Sequence, residues 1–131
     1  MKRRILIVED NVGLSQMQKD WFAQAGYDAV TAISEPIARS LIRKTTFDMI
    51  LSDVRLPEGN GISLLEWIRR EKKDIPFIIT TEYVSVPDVV RTIKLGAIDY
   101  LPKPVHREHL LELAEDVFKP MVTVRKKEKV M

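Results

Sequence analysis

Apolar positions along the chain fall in short runs that alternate with stretches of helical periodicity. The first run, Arg4–Val8 (RILIV), is apolar and largely β-branched, as a strand covered on both faces requires. Asn11 is placed to cap a helix whose apolar positions Leu14, Met17, Phe22 and Ala25 recur at helical spacing, with Gly26 as its stop. Tyr27–Ile33 (YDAVTAI) predicts a second, more mixed strand. Ser34 caps the next helix, which has Pro36 in its first turn and Ile37, Ala38, Leu41 and Ile42 on one face. Phe47–Ser52 (FDMILS) predicts a third strand that runs into Asp53.

A break follows at Val54–Gly61, which holds Pro57, Gly59, Asn60 and Gly61. Ile62–Arg70 is helical, with Leu64, Leu65 and Ile68 inward, and Pro76–Thr81 (PFIITT) is a fourth strand. Val86–Leu95 predicts a helix stopped by Gly96, and Ile98–Leu101 a short fifth strand. Lys103-Pro104 is expected to open a last helix to about Phe118, with Leu110, Leu113, Ala114 and Val117 as its stripe. Five strands interleaved with five helices predict an α/β domain, a parallel sheet joined by right-handed crossovers with helices on both faces. The expected form is the doubly wound flavodoxin-like (βα)5 sheet, in strand order 2-1-3-4-5.

Composition narrows the classes without choosing a function. A length of 131 residues fits one domain with one core. The absence of cysteine excludes disulfides and thiolate metal sites. The apolar run near the N-terminus is too short for a signal peptide or a membrane span, so a cytoplasmic protein without membrane attachment is expected. The net charge of +2 is uneven: residues 1–118 carry 16 Lys/Arg against 18 Asp/Glu, and residues 119–131 carry 5 against 1. A mildly acidic body speaks against direct nucleic-acid binding by the domain, 1–118. The basic tail, 119–131, reads as the start of a solvated linker to an output domain.

In sheets of this kind ligands bind beyond the carboxyl ends of the strands, near the point where strand order reverses. Glu9 and Asp10 follow the first strand, Asp53 the third, Thr81 the fourth and Lys103 the fifth. With the first and third strands adjacent, three carboxylates converge, and Thr81 and Lys103 approach from the other side. Such carboxylates repel one another unless a cation is present. Mg2+ suits them, because it takes oxygen ligands from a few carboxylates and completes its shell with water and phosphate. Phosphoryl transfer needs that neutralisation together with a fixed cation, a task for Lys103, while the Thr81 hydroxyl can donate to a phosphoryl oxygen. The set makes chemical sense with Asp53 as the nucleophile that forms an acyl phosphate.

From Ile5 to about Phe118 the chain resembles the receiver domains of two-component response regulators. The resemblance rests on ILIVEDN (Glu9, Asp10), LSDVRLP (Asp53), IITTEY (Thr81) and DYLPKP (Lys103), with Pro57 and Gly61 in the loop after Asp53. It implies that Asp10, Asp53 and the backbone carbonyl of Arg55 ligate Mg2+, with Glu9 helping through a water. It also implies that Tyr100 changes rotamer with Thr81 when phosphate binds, and that a sensor histidine kinase or phosphotransfer protein is the donor. The surface of the fourth helix, fifth strand and fifth helix would carry the change. The resemblance also implies homodimers, through that surface or through the first and fifth helices. The stretch SVPDVVRTIKLGAIDYLPKP is most similar to receivers of NtrC-class (sigma-54-dependent) transcription regulators.

Two positions depart from the family pattern. Glu9 stands where Asp is commoner, one methylene longer, and metal binding is expected to survive. Glu82 follows Thr81 where Ala or Gly is usual, and this anion is expected to slow phosphorylation by small donors. Each residue alone has a bland reading: a helix cap for Glu9 or Asp10, a turn for Asp53, strand propensity for Thr81, packing for Tyr100. Trp21 and Trp67 read as partly buried helix residues, and His106 and His109 as surface polar groups rather than metal ligands. An aspartate-nucleophile phosphatase is disfavoured because Arg55 stands where its general acid would be. A nucleotide module is disfavoured by the lack of a glycine-rich phosphate loop. A receiver-like module that works without phosphorylation, or a stand-alone single-domain regulator, are the remaining alternatives. The domain is expected to catalyse only its own phosphorylation and dephosphorylation, and so not to be an enzyme in the ordinary sense.

Overall fold

A computed structural model describes residues 2–71 and 73–119. The expected linker therefore lies, from residue 120 onward, outside the described residues. The elements alternate without exception: β1 (Arg4–Val8), α1 (Val12–Gln24), β2 (Asp28–Ala32), α2 (Glu35–Lys44), β3 (Met49–Asp53), α3 (Gly61–Arg70), β4 (Phe77–Thr81), α4 (Val86–Lys94), β5 (Asp99–Pro102) and α5 (Arg107–Val117). The five strands form one sheet in the order β2-β1-β3-β4-β5, and every pairing is parallel.

The three inner strands are buried on both faces, which is why their sequences are unbroken apolar runs. Successive residues still point to opposite faces and so divide between two cores. Leu6, Val8, Ile50 and Ile79 join Ala38, Ile42, Leu64, Leu65 and Ile68 of α2 and α3 on one face. Ile5, Ile7, Met49, Leu51 and Ile78 join Phe22 of α1 and Leu110 and Ala114 of α5 on the other. At about 25 cal/mol per Å2 of apolar surface removed from water, these two layers are the main favourable term in folding.

Asn11, Ser34, Asn60 and Ser85 each accept a backbone N–H at the start of their helices, the sites where such side chains belong. Gly26 and Gly96 follow the ends of α1 and α4 with φ of 95° and 77°, a region that favours glycine.

Three local expectations differ from the structure. The buried side of α1 is Ser15, Gln18 and Phe22, while Met17 and Ala25 face solvent. Helical spacing gave the period but not the phase, because two of the inward residues are polar. Ile37 of α2 is likewise exposed. The last helix begins at Arg107, not at Lys103-Pro104. The reason is that the Lys103 N–H donates to the Thr81 carbonyl at 2.7 Å, which continues the β4–β5 ladder through Lys103.

Candidate functional site

The carboxyl ends of β1, β3, β4 and β5 meet at one rim of the sheet. Carboxylate oxygens of Glu9, Asp10 and Asp53 lie within 4.8 Å of one another, Glu9 and Asp53 buried and Asp10 exposed. They are brought together by the strand order, which places the end of β1 beside the end of β3. Lys103 enters from β5 with its side chain only 11% exposed. Its Nζ donates to Glu9 Oε1 at 2.7 Å and to Asp53 Oδ2 at 2.8 Å. The extra methylene of Glu9 thus carries its carboxylate to the lysine, and Oε2 accepts the Asn11 N–H at 3.1 Å.

Burial drives the Glu9 carboxyl above its ordinary value of 4.5, and the nearby Asp53 charge adds to this, against the hydrogen bonds from Lys103 and Asn11. Burial alone would lower the Lys103 ammonium. Its hydrogen bonds to Asp53 and Glu9 and their charges outweigh burial and hold it above the ordinary 10.5. One ammonium among three carboxylates leaves the rim short of positive charge. Three carboxylates with oxygens within 4.8 Å of one another are the hard oxygen donors that Mg2+ takes, a few as ligands and the rest through water. The acidic cluster is therefore a sound candidate for a hard divalent cation.

The loop after Asp53 is closely tied down. Asp53 Oδ1 accepts the Arg55 N–H at 3.3 Å, Arg55 pairs with Asn60 in an isolated antiparallel bridge, and the Gly61 N–H donates to the Val54 carbonyl at 2.9 Å. A Cβ on Gly61 would stand 2.2 Å from the Asp53 carbonyl oxygen, so the closure of this loop onto the strand needs glycine.

Thr81 and Tyr100 are placed differently from the four charged groups. Thr81 is buried at the end of β4, and its hydroxyl is engaged with its own loop. It donates to the Tyr83 carbonyl at 3.0 Å and accepts the Tyr83 N–H at 3.1 Å. The Tyr100 side chain packs against the core, and its Oη is buried without a hydrogen-bond partner among the described residues. Glu82 is exposed on the β4–α4 loop beside the site. Two participants escaped the sequence reading. The Arg55 guanidinium lies 4.8 Å from the centre of the Tyr83 ring and links the two loops that flank Asp53. Glu35, at the start of α2, is buried with its carboxylate against the Asp53 loop. Neither could be foreseen, since an acid in a first helical turn and an aromatic in a loop are both ordinary. His106 and His109 contribute to no metal-ligating cluster among the described residues.

A parallel five-stranded sheet with acids and one lysine at its carboxyl rim defines the class of doubly wound α/β proteins whose site lies at the strand-order switch. Within that class, residues 5–115 match the family model of the response regulator receiver domain, and the chain belongs to this family. It is 36% identical over 115 residues to the transcriptional regulatory protein ZraR of Salmonella typhimurium, covering 85% of this chain and 25% of that protein. It is 31% identical over 112 residues to the response regulator protein PilR of Pseudomonas aeruginosa, covering 86% and 25%. The chain thus spans about a quarter of the length of these relatives. Among solved structures, the non-phosphorylated HemR receiver domain from Leptospira biflexa aligns with a TM-score of 0.82 at 37% identity, over 91% of this chain and 98% of that one. A CheY-like receiver domain protein from Methanospirillum hungatei aligns with a TM-score of 0.85 at 27% identity over the whole of both chains. No helix among the described residues is long and apolar enough to cross a membrane.

Proposed function

We propose that this receiver domain accepts a phosphoryl group on Asp53 from a histidine kinase or phosphotransfer protein and converts it into a change at the α4–β5–α5 surface. The observation that carries the reading is the double hydrogen bond of Lys103 Nζ, which ties the buried Asp53 to Glu9 at an acidic rim. Asp53 attacks the phosphorus of a phosphohistidine, so that an Oδ–P bond forms as the N–P bond breaks and the freed imidazole takes up a proton. Lys103 neutralises charge that builds on the transferred oxygens. Asp10, Asp53 and the Arg55 carbonyl would hold Mg2+, with Glu9 reaching it through a water, and the bound ion supplies the remaining positive charge.

The response begins at Thr81. To reach a phosphoryl oxygen its hydroxyl gives up the Tyr83 carbonyl, and the buried Tyr100 Oη, unpaired among the described residues, is a donor available to a new acceptor. The element this biases is α4, which buries only Thr92. The domain turns over no external substrate and acts only on its own acyl phosphate. The named roles and the length of PilR and ZraR support a place within a longer, cytoplasmic transcription regulator of the NtrC class, in which residues beyond about 118 would lead to the output domain. Self-association through α4, β5 and α5 is supported by the exposed Val86, Val90 and Ile93 of α4.

The test is direct. Incubated with Mg2+ and acetyl phosphate, the protein should gain one phosphoryl group by intact mass, and neither Asp53→Ala nor the wild type in EDTA should gain any. Labelling of Asp53→Ala to the wild-type extent would reject the assignment.

A further inference from the structure

Glu35 is a buried carboxylate that the chemistry above does not use, and its surroundings are unusual for a helix-start acid. It lies in the first turn of α2, where an acid ordinarily serves the free N–H groups and the helix dipole. Here Ser34 Oγ takes the Ile37 N–H, and both Glu35 oxygens are turned elsewhere. Oε1 accepts the backbone N–H of Asn60 at 2.9 Å, and Oε2 accepts from the Arg39 guanidinium. The Glu35 N–H donates in turn to the Glu58 carbonyl at 3.3 Å. Gly59 leaves the space this needs: with φ of 80°, a Cβ there would stand 2.0 Å from Glu35 Oε1. Arg39 is itself seated 5.1 Å over the Trp67 ring of α3.

Resting on the reading that this rim holds Mg2+, we propose that Glu35 is a positioning residue for the metal. It would act through the β3–α3 loop. The carboxylate fixes Asn60, Asn60 pairs with Arg55 and caps α3 through Ser63, and the Arg55 N–H donates to Asp53 Oδ1. One side chain from a separate helix thereby sets the outer end of the segment that carries the Arg55 carbonyl. Loss of the carboxylate strands a half-buried N–H and lets that segment move, while leaving Glu9, Asp10, Asp53 and Lys103 in place. Groups that orient a metal shell from behind typically change affinity by roughly 10–100-fold.

Mn2+, which takes oxygen ligands as Mg2+ does, reports free ion by electron paramagnetic resonance without relying on Trp67 or on phosphorylation. The full chain should bind Mn2+ at one site that Mg2+ displaces and that Asp53→Ala weakens. Glu35→Ala should weaken Mn2+ about tenfold. Glu35→Gln keeps an acceptor for the Asn60 N–H and should recover most of that loss. A folded Glu35→Ala protein with a lower unfolding midpoint but wild-type Mn2+ affinity would overturn the proposal, because it would leave Glu35 a purely structural role. Should Glu35→Ala not fold, Arg39→Met, at a side chain 30% exposed, frees the Glu35 carboxylate to rotate. A loss of a few-fold in Mn2+ affinity then supports the proposal, and an unchanged affinity overturns it. If the wild type binds no Mn2+, or Asp53→Ala binds as the wild type does, the metal reading itself fails and the proposal with it.

Discussion

Two neighbouring helices pack on the same face of the sheet and are held in opposite ways. α3 buries six of its residues, Gly61, Ile62, Leu64, Leu65, Trp67 and Ile68, and follows a loop tied at Asp53, Val54 and Glu35. α4 buries Thr92 alone and leaves Val86, Val90 and Ile93 73%, 46% and 65% exposed. A cavity of about 340 Å3 lies beside it, lined by Val84, Val89, Thr92, Ile93, Tyr100 and their neighbours. The proposed chemistry is thus mounted on the well-packed side, where a loop tied at several points sets oxygen positions. The loosely packed side is where a modest local change, such as a diverted hydroxyl, can shift a population.

The largest expected effect tests that contrast in stability. Ile68→Ala, in the core under α3, should cost about 2–5 kcal/mol by urea unfolding. Ile93→Ala on α4 should stay within about 0.5 kcal/mol. Equal losses at the two sites would remove the distinction. Native-state hydrogen exchange sharpens it, since α4 amides should exchange through local opening while those of α3 approach the global limit.

Next comes the lysine that joins the site to the fifth strand. The folded-state value of Lys103 is raised above 10.5, so its contribution is fully present below the unfolded value and is lost as pH rises through the folded one. In EDTA, stability should therefore fall above about pH 10.5 by at most about 1.4 kcal/mol per pH unit from this proton. Lys103→Met should lack that component of the alkaline loss. An identical alkaline profile in the two proteins would show that the pair does not contribute.

How much of this was legible in the sequence follows the same division. The inner strands and the rim acids were readable because a doubly covered strand must be apolar throughout, and strand order alone then brings Glu9, Asp10 and Asp53 together. The phase of α1 was not readable, since Ser15 and Gln18 occupy inward positions. Nor was the start of α5, where Lys103 prolongs a ladder that local propensity does not encode. Glu35 and Tyr83 were invisible for a related reason: their partners, Asn60 and Arg55, stand 25 and 28 residues away and meet them only in the folded chain.

Smaller effects belong to the loosely packed side. Glu82 is exposed beside the site, so Glu82→Ala should speed labelling by acetyl phosphate a few-fold by removing one screened negative charge from the donor's approach. Equal rates would show that the anion stands clear of that path.

The smallest and most discriminating change is Tyr100→Phe. A hydroxyl buried without a partner is destabilising, so its removal should raise the stability of the unphosphorylated domain by about 1 kcal/mol or less while the ring keeps its packing. The same substitution deletes the hydroxyl that the proposed switch would recruit once Thr81 turned away from the Tyr83 carbonyl. Beryllofluoride with Mg2+ should consequently stabilise Tyr100→Phe less than the wild type, in opposite sense to the effect on the free protein. If both forms gained equally from beryllofluoride, the aromatic on the fifth strand would be packing only, and the proposed transmission from site to α4 would have to run through the loop alone.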